Sequence, residues 1–368
     1  MKFIAFYLPQ FHEIPENNQW WGEGFTEWTN MKKAKPLYPG HNQPRIPLNY
    51  NYYDLSKKET LQWQAEIARQ YGIHGFCIYH YWFGDKMLLE KPAEILLENK
   101  DIDINYCFCW ANESWTNAWV SKSNKVLIEQ KYGDKEEWKK HFDYFLPFFM
   151  DHRYIKENNM PLLVIYRPEL IPCLNEMLDY LNSLAKKKGF AGITFAYQQT
   201  QFDDIHGDDS RFTYNIEYEP MYALRDLNYR NPIKKFVQKT IDKLNNTVFK
   251  NNTITRERVS IKRWDYDKVW KAVINHKPSS DKCIAGAFVD WDNSPRRGNK
   301  GYVIENGNPE KFGMYLEKQV ENVKKNYHNE YIFIFAWNEW AEGGYLEPDT
   351  KNGYRYLEEI KRVNEKYL

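Results

Sequence analysis

Nowhere does the chain carry an uninterrupted apolar run of the roughly 18 residues that a membrane-spanning helix needs. Charge of one sign is not in excess either. The 51 Lys and Arg face 50 Asp and Glu, a formal net charge of +1, so there is no electrostatic ground for a nucleic-acid or anionic-membrane partner. Cysteine is scarce: Cys77, Cys107, Cys109, Cys173 and Cys283 are odd in number and show no C-x-x-C or Cys/His zinc spacing. Most fall in or beside apolar runs, which predicts buried free thiols and a reducing compartment. The opening M-K-F-I-A-F-Y-L-P-Q has no small-residue cleavage site and stops at Pro9, so it reads as a first strand and not as a secretory signal. A cytoplasmic protein without a membrane span is the expectation. No G-x-G-x-x-G turn follows that strand, where the chain reads L-P-Q-F-H, which removes the dinucleotide-binding fingerprint. No repeat, low-complexity tract or Pro/Gly/Ser linker divides residues 1–368, which predicts one domain. Neither a cofactor nor a resident metal is expected. The oligomeric state is not legible.

What the chain does hold is aromatic. Aromatics make up 17% of it, with 14 Trp and 28 Tyr, against a mean hydropathy of −0.78. Tyr and Trp join a flat apolar face to a polar edge. Such faces suit sugar rings, whose C–H groups form an apolar surface ringed by hydroxyls. Large barrels also carry many aromatics, so composition alone does not decide.

Short apolar, β-rich runs alternate with longer amphipathic ones. Strands are expected at 2–8, 75–81, 105–111, 162–166, 192–197, 214–218, 283–289 and 331–336, and helices at 56–71, 86–98, 136–150, 171–188, 232–245, 266–276, 309–327 and 353–367. Ser56 with Glu59 three residues on fits a capping box. Near-continuous apolar strands such as L-L-V-I-Y and I-F-I-F-A predict burial on both faces. Eight strands alternating with helices fit an open doubly wound sheet or a closed barrel. The count of eight favours an α/β fold of the (β/α)8 TIM type, with long βα loops.

In such a barrel all strand ends converge on one face. There the sequence places W-W-G-E-G-F-T-E-W with Trp21 and Glu27, then Tyr79-His80-Tyr81-Trp82, then Trp110-Ala111-Asn112-Glu113 with Trp115 and Trp119 beyond. Tyr166, Gln198 and Glu217 close the next three strands, and Asp290-Trp291-Asp292 and Trp337-Asn338-Glu339-Trp340-Ala341-Glu342 the last two. Trp beside carboxylates and amides at successive ends predicts one ring-lined polar cleft. Trp21, Glu27, Tyr79, His80, Trp82, Trp110, Asn112, Glu113, Trp115, Tyr166, Asp290, Trp291, Asp292, Trp337, Asn338 and Trp340 are the candidate saccharide-binding residues.

Breaking or making a glycosidic bond needs two carboxyls with different tasks, one protonated and one ionised. Glu339 and Glu342 are three apart; a helical turn past the eighth strand puts them on one face. Trp337 and Trp340 would exclude water there and raise one carboxyl. The bland alternative is a glutamate pair opening the last helix, favoured by its dipole. Glu113, Asp290 and Asp292 read as acceptors for sugar hydroxyls, or D-W-D as the metal-holding pair of a nucleotide-sugar transferase. His12 and His80 suit either the site or the barrel mouth. Arg167 and Arg296 suit either an anionic ligand group or a neighbouring acid.

The runs A-F-Y-L-P-Q-F-H (5–12), W-W-G-E-G-F-T-E-W-T-N (20–30), G-F-C-I-Y-H-Y-W-F (75–83), W-A-N-E-S-W-T (110–116) and N-E-W-A-E-G-G-Y-L-E-P-D (338–349) resemble the WbsX-type family over nearly the whole chain. That family is met among genes for bacterial O-antigen and other surface polysaccharides, and carries a glycosyltransferase label. It is similar in turn to glycoside hydrolase family 99, (β/α)8 endo-α-mannosidases and endo-α-mannanases with an E-W-x-E motif after the final strand. Glu339-Trp340-Ala341-Glu342 matches that motif, with Ala341 where the hydrolases often have His. The resemblance implies Glu342 as general acid/base and Glu339 as the base for the sugar's own 2-hydroxyl, with a 1,2-anhydro sugar opened by water under net retention. That chemistry needs an α-manno- or α-rhamno-configured sugar, in a surface polysaccharide or its lipid-linked precursor. A glycosyltransferase using an activated donor and a non-catalytic carbohydrate-binding protein stay open, since family membership does not fix the reaction.

Overall fold

Strand-forming stretches that are apolar on both faces must be covered on both faces, and a closed barrel ringed by helices does this. The computed structural model describes residues 1–84, 86–116, 125–199, 209–229 and 261–367. Eight strands form its centre: β1 (Lys2–Tyr7), β2 (Ile73–Trp82), β3 (Asn105–Trp110), β4 (Met160–Ile165), β5 (Thr194–Gln199), β6 (Tyr214–Glu217), β7 (Cys283–Phe288) and β8 (Tyr331–Phe335). Each pairs in parallel with its sequence neighbours, and β1 pairs with both β2 and β8, so the sheet closes on itself. The barrel expected from the alternation is the observed fold.

Gly286 lets β7 close against β6: a Cβ there would lie 1.8 Å from the Glu217 carbonyl oxygen. The four cysteines Cys77, Cys107, Cys109 and Cys283 are buried free thiols, and Cys173 is half-buried.

The helices bury apolar stripes on this sheet. Between β3 and β4, the helix Lys135–Met150 turns Trp138, Phe142, Phe145 and Phe149 inward at the three- and four-residue spacing of an α-helix. The side chain of Asp134 caps it by accepting from the amides of Glu136 and Glu137. Asp265 and Asn308 cap the helices Tyr266–Asn275 and Pro309–Asn326 in the same way.

Several sequence readings differ from the structure. The helix expected at 56–71 spans Lys58–Gln70, and Lys57, not Ser56, stands at its N-cap without a side-chain bond. The amide of Ser56 instead donates to the Asp54 carboxylate at 2.8 Å, an Asx-type turn that competes with the capping box. The helix expected at 86–98 spans Lys91–Glu98, because Met87–Leu88 pairs antiparallel with the end of β2. The expected helix 232–245 and Trp119 lie outside the described residues.

The longest described insertion follows β1. Residues 8–57 form two short helices, α1 (Pro15–Trp21) and α2 (Glu27–Lys33), over the barrel mouth. They had no counterpart in the alternation, being too short to show a helical period.

Candidate active site

Past β8 the chain is pinned before it turns. Asn338 is fully buried; its side chain accepts from the Leu8 amide at 2.7 Å and donates to the Leu8 carbonyl at 2.9 Å. The Trp337 amide donates to the Phe6 carbonyl at 2.7 Å. Asn338–Glu339 then pairs antiparallel with Gly344–Tyr345, and Trp340–Glu342 closes a 3₁₀ turn. With three residues per turn, side chains at i and i+3 eclipse. Glu339, the N-cap of this turn, and Glu342, its last residue, both line the barrel mouth. The last helix begins at Arg355, so the pair does not open that helix.

Gly343 ends the turn at φ +70, where a Cβ would press on the Asp292 amide at 2.8 Å. That amide donates to the Glu342 carbonyl at 2.7 Å, and Arg45 donates to the Gly343 carbonyl at 3.1 Å. Behind the turn, Trp340 stacks on Tyr345 with centroids 3.7 Å apart and donates to Glu347 at 2.6 Å.

The mouth holds a cavity of about 440 Å³. Of the sequence-derived candidates it is lined by Trp21, Glu27, Tyr79, Glu113, Trp115 and Tyr166, together with Glu339 and Glu342. Arg296 lines it as well; Tyr81, Tyr218, Gln10, Phe25, Asn30 and Arg297 also line it and were not among the candidate binding residues. Tyr81 was within reach of the sequence: residues two apart on a strand share a face, so Tyr79 implies Tyr81. Arg296, read from the sequence as suited to an anionic ligand group or a neighbouring acid, meets acids.

The same alternation explains residues that stay away. His80 and Trp82 do not line the cavity: they point outward to the helix Lys135–Met150, where His80 Nε2 lies 3.0 Å from His141 Nε2 and Trp82 stacks on His141 at 4.5 Å. Burial pushes His80 down to about 3, so it is neutral. Trp110 packs in the same cluster and donates to the Trp82 carbonyl. Asn112 binds the backbone of Arg167 in both directions, at 2.7 and 2.8 Å, and joins the ends of β3 and β4. Asn338 is spent on Leu8. Trp337 and Trp340 are fully buried behind the turn, against Phe76 and Trp28, so the rings beside the glutamates are the tyrosines and Trp115 instead. His12 is buried beside the α2 side of the mouth, outside the cavity.

Asp290, Trp291 and Asp292 likewise stand outside the cavity lining. Asp290 pairs with Arg45 at 2.9 Å; Asp292 meets His41 at 2.9 Å and Gln43 at 2.6 Å. Asp292 also accepts from the Ser294 amide at 3.0 Å, which fixes the short helix Ser294–Arg297. Trp291 stacks on Tyr302. The D-W-D run is thus a bracket for the turn that carries Arg296. Arg167 pairs with Glu113 at 3.3 Å and with Glu169.

Arg296 ties three carboxyls together. It reaches Glu27 Oε2 through Nη2 at 3.1 Å and Nε at 3.2 Å, Glu342 Oε1 through Nη1 at 2.8 Å, and Glu339 Oε2 through Nη2 at 3.3 Å. Glu27 is the first residue of α2, where the helix N-terminus favours an acid. Burial raises Glu339 from 4.5 to about 8, against the opposing pull of Arg296, and the neighbouring Glu342 adds to the rise. Glu342 is raised too, by burial first, with Arg296 again opposing. Two carboxyls on one turn, one guanidinium between them and walls of tyrosine and tryptophan make a site that can move a proton beside a bound saccharide.

The class that the fold and site define is a closed (β/α)8 barrel with paired carboxyls and aromatic rings at its mouth. The family model described as glycosyltransferase WbsX matches residues 3–360, and the chain belongs to that family. Protein WxcX of Xanthomonas campestris pv. campestris is 32% identical over 366 residues, 98% of this chain and 49% of that protein, and a second strain carries a similar relative. The chain therefore spans about half the length of the curated relatives it matches. Among solved structures, the GH99 endo-alpha-mannosidase from Bacteroides thetaiotaomicron is similar with a TM-score of 0.58 at 14% identity, covering 99% of this chain and 97% of that one. A glycoside hydrolase-like protein gives 0.59 at 12% identity, covering 98% and 93%. At these identities the likeness is one of fold. Among the described residues no helix is long and apolar enough to cross a membrane.

Proposed function

We propose that residues 1–368 act as one GH99-like catalytic domain: a retaining, endo-acting glycoside hydrolase or transglycosidase on an α-manno- or α-rhamno-configured bacterial surface polysaccharide. The observation that carries this reading is the projection of Glu339 and Glu342 from one 3₁₀ turn into an aromatic cavity. In the first half-reaction the 2-hydroxyl gives its proton to the Glu339 carboxylate while its oxygen bonds to the anomeric carbon. The bond from that carbon to the leaving oxygen breaks, and Glu342 protonates the departing oxygen. In the second, Glu342 takes a proton from the attacking water, or from an acceptor hydroxyl. The new C–O bond opens the 1,2-anhydro ring, and Glu339 returns the proton to the 2-oxygen. The rings of Trp21, Trp115, Tyr79 and Tyr166 hold the sugar faces in this scheme.

The test is incubation of purified protein with O-antigen oligosaccharides of manno or rhamno configuration, read by mass. Cleavage or transfer that disappears in both Glu339→Gln and Glu342→Gln is the expected result; cleavage undiminished by either substitution rules the scheme out. The family's description supports a second reading, a glycosyltransferase with an activated donor. It predicts saturable calorimetric binding of a nucleotide sugar, which the first reading does not.

A further inference from the structure

The two half-reactions proposed above share an arithmetic property. Before the first, Glu342 is protonated and Glu339 ionised; after it, Glu339 is protonated and Glu342 ionised. The second half reverses the exchange. At each resting point the pair holds one proton and one negative charge, and only the carboxyl that bears the charge changes. A cation fixed on one carboxyl alone would favour one resting point and penalise the other.

Arg296 is not fixed on one alone. Its Nη1 lies on Glu342 at 2.8 Å and its Nη2 on Glu339 at 3.3 Å, and a guanidinium is a planar, delocalised charge with five donors. Its remaining edge, Nε with Nη2, is held by Glu27 at 3.2 and 3.1 Å. Glu27 is buried and itself fixed at the start of α2, where the Thr26 and Thr29 side chains complete a capping box. Two carboxyls suffice for the reaction; the third, arriving from 269 residues away in sequence, has the guanidinium as its ion-pair partner. We propose that Arg296, anchored by Glu27, is a positioning residue that keeps one shared proton on the Glu339–Glu342 pair through both half-reactions. Its charge compensates whichever of the two carboxyls is ionised.

The other groups facing the pair do not supply that charge balance. Tyr79, Tyr81 and Tyr218 face Glu339, and Tyr166, Tyr218 and Tyr302 face Glu342; burial raises each phenol, so all are neutral at neutral pH. Arg297 also acts on Glu342, more weakly than Arg296. In the unliganded cleft burial raises both carboxyls, and Arg296 lies nearer Glu342 than Glu339. A cation that spans both carboxyls lets the proton pass between them at little electrostatic cost.

The proposal rests on the hydrolase reading, and its test separates the two. Protein labelled with ¹³C at the glutamate side-chain carboxyl is titrated by NMR, with Glu339→Gln and Glu342→Gln assigning the signals. The unaltered protein should hold one proton on the pair across neutral pH. In Arg296→Gln the lower of the two steps should move up by about one to three pH units. In Arg296→Lys, which keeps the charge, it should stay nearer its original place. Glu27→Gln, which removes the competing anion and keeps the guanidinium, should move the lower step down; this arm stands even if Arg296→Gln does not fold. A folded Arg296→Gln that titrates like the unaltered protein overturns the proposal, as does an upward or absent shift in Glu27→Gln. On a cleavable oligosaccharide, the acidic limb of the rate profile should move with the titration in the same direction. Titrations as expected with cleavage indifferent to Glu339 and Glu342 would sink the hydrolase reading while leaving the shared proton in place.

Discussion

At the scale of single residues, the protein keeps a carboxyl where water barely reaches it. Glu339 is 5% exposed and its proton is held up to about 8. In the unfolded chain the same group ionises near 4.5. Between those values the folded state binds the proton and the unfolded state does not, so this group's contribution to stability falls as pH rises through that window. The melting temperature of the unaltered protein minus that of Glu339→Gln should decline from pH 5 to pH 8; parallel curves would show that the carboxyl is not buried in solution. Activity should follow chemistry rather than packing. Glu342→Gln and Glu339→Gln should each lower turnover by roughly 10²- to 10⁴-fold, the range of a lost general acid or base, with saccharide affinity kept.

Among elements, the 3₁₀ turn after β8 depends on its neighbours. Asn338 clamps it to β1, the Asp292 amide holds the Glu342 carbonyl, and Arg45 holds that of Gly343. Asn338→Ala leaves the Leu8 amide and carbonyl buried without their partner and should cost about 1–3 kcal/mol of stability in denaturant melts. Turnover should fall as well, because the carboxyls lose their register. An unchanged midpoint would mean that water replaces the amide. Gly286→Ala forces β6 and β7 apart and should cost about 1–3 kcal/mol as overpacking does. Gly286 does not line the cavity, so at a temperature where the variant is folded saccharide affinity should change less than stability.

Across the whole molecule, two insertions build the cleft over a barrel that supplies only its floor. Residues 8–57 bring Trp21 and Glu27, and the stretch after β3 brings Glu113 and Trp115. Neither insertion packs its tryptophan fully, and Trp20 meets Trp115 edge-on at 5.9 Å across the mouth. Trp21→Ala and Trp115→Ala should each weaken oligosaccharide binding roughly tenfold, about 1.4 kcal/mol, with melting temperature nearly unchanged in Trp21→Ala and lowered in Trp115→Ala, whose ring packs on Tyr81 and Phe83. Calorimetry and intrinsic fluorescence with the two variants check this. Full affinity in both would place the saccharide elsewhere.

The sequence by itself determined the barrel, because eight strands apolar on both faces, separated by helices, leave few ways to cover every face. It offered a shared side for Glu339 and Glu342 on condition that the chain turn just past the last strand, and the neighbours that clamp that turn supplied the condition. Tertiary structure alone decided which strand-end residues reach the cavity. Tyr79 and Tyr81 face in and His80 and Trp82 face out, yet all four are polar-edged rings in one short run, and composition cannot tell the faces apart. It alone brought Arg296 between the glutamates: the partners stand 43, 46 and 269 residues from it in the chain, and only closure of the barrel makes them neighbours.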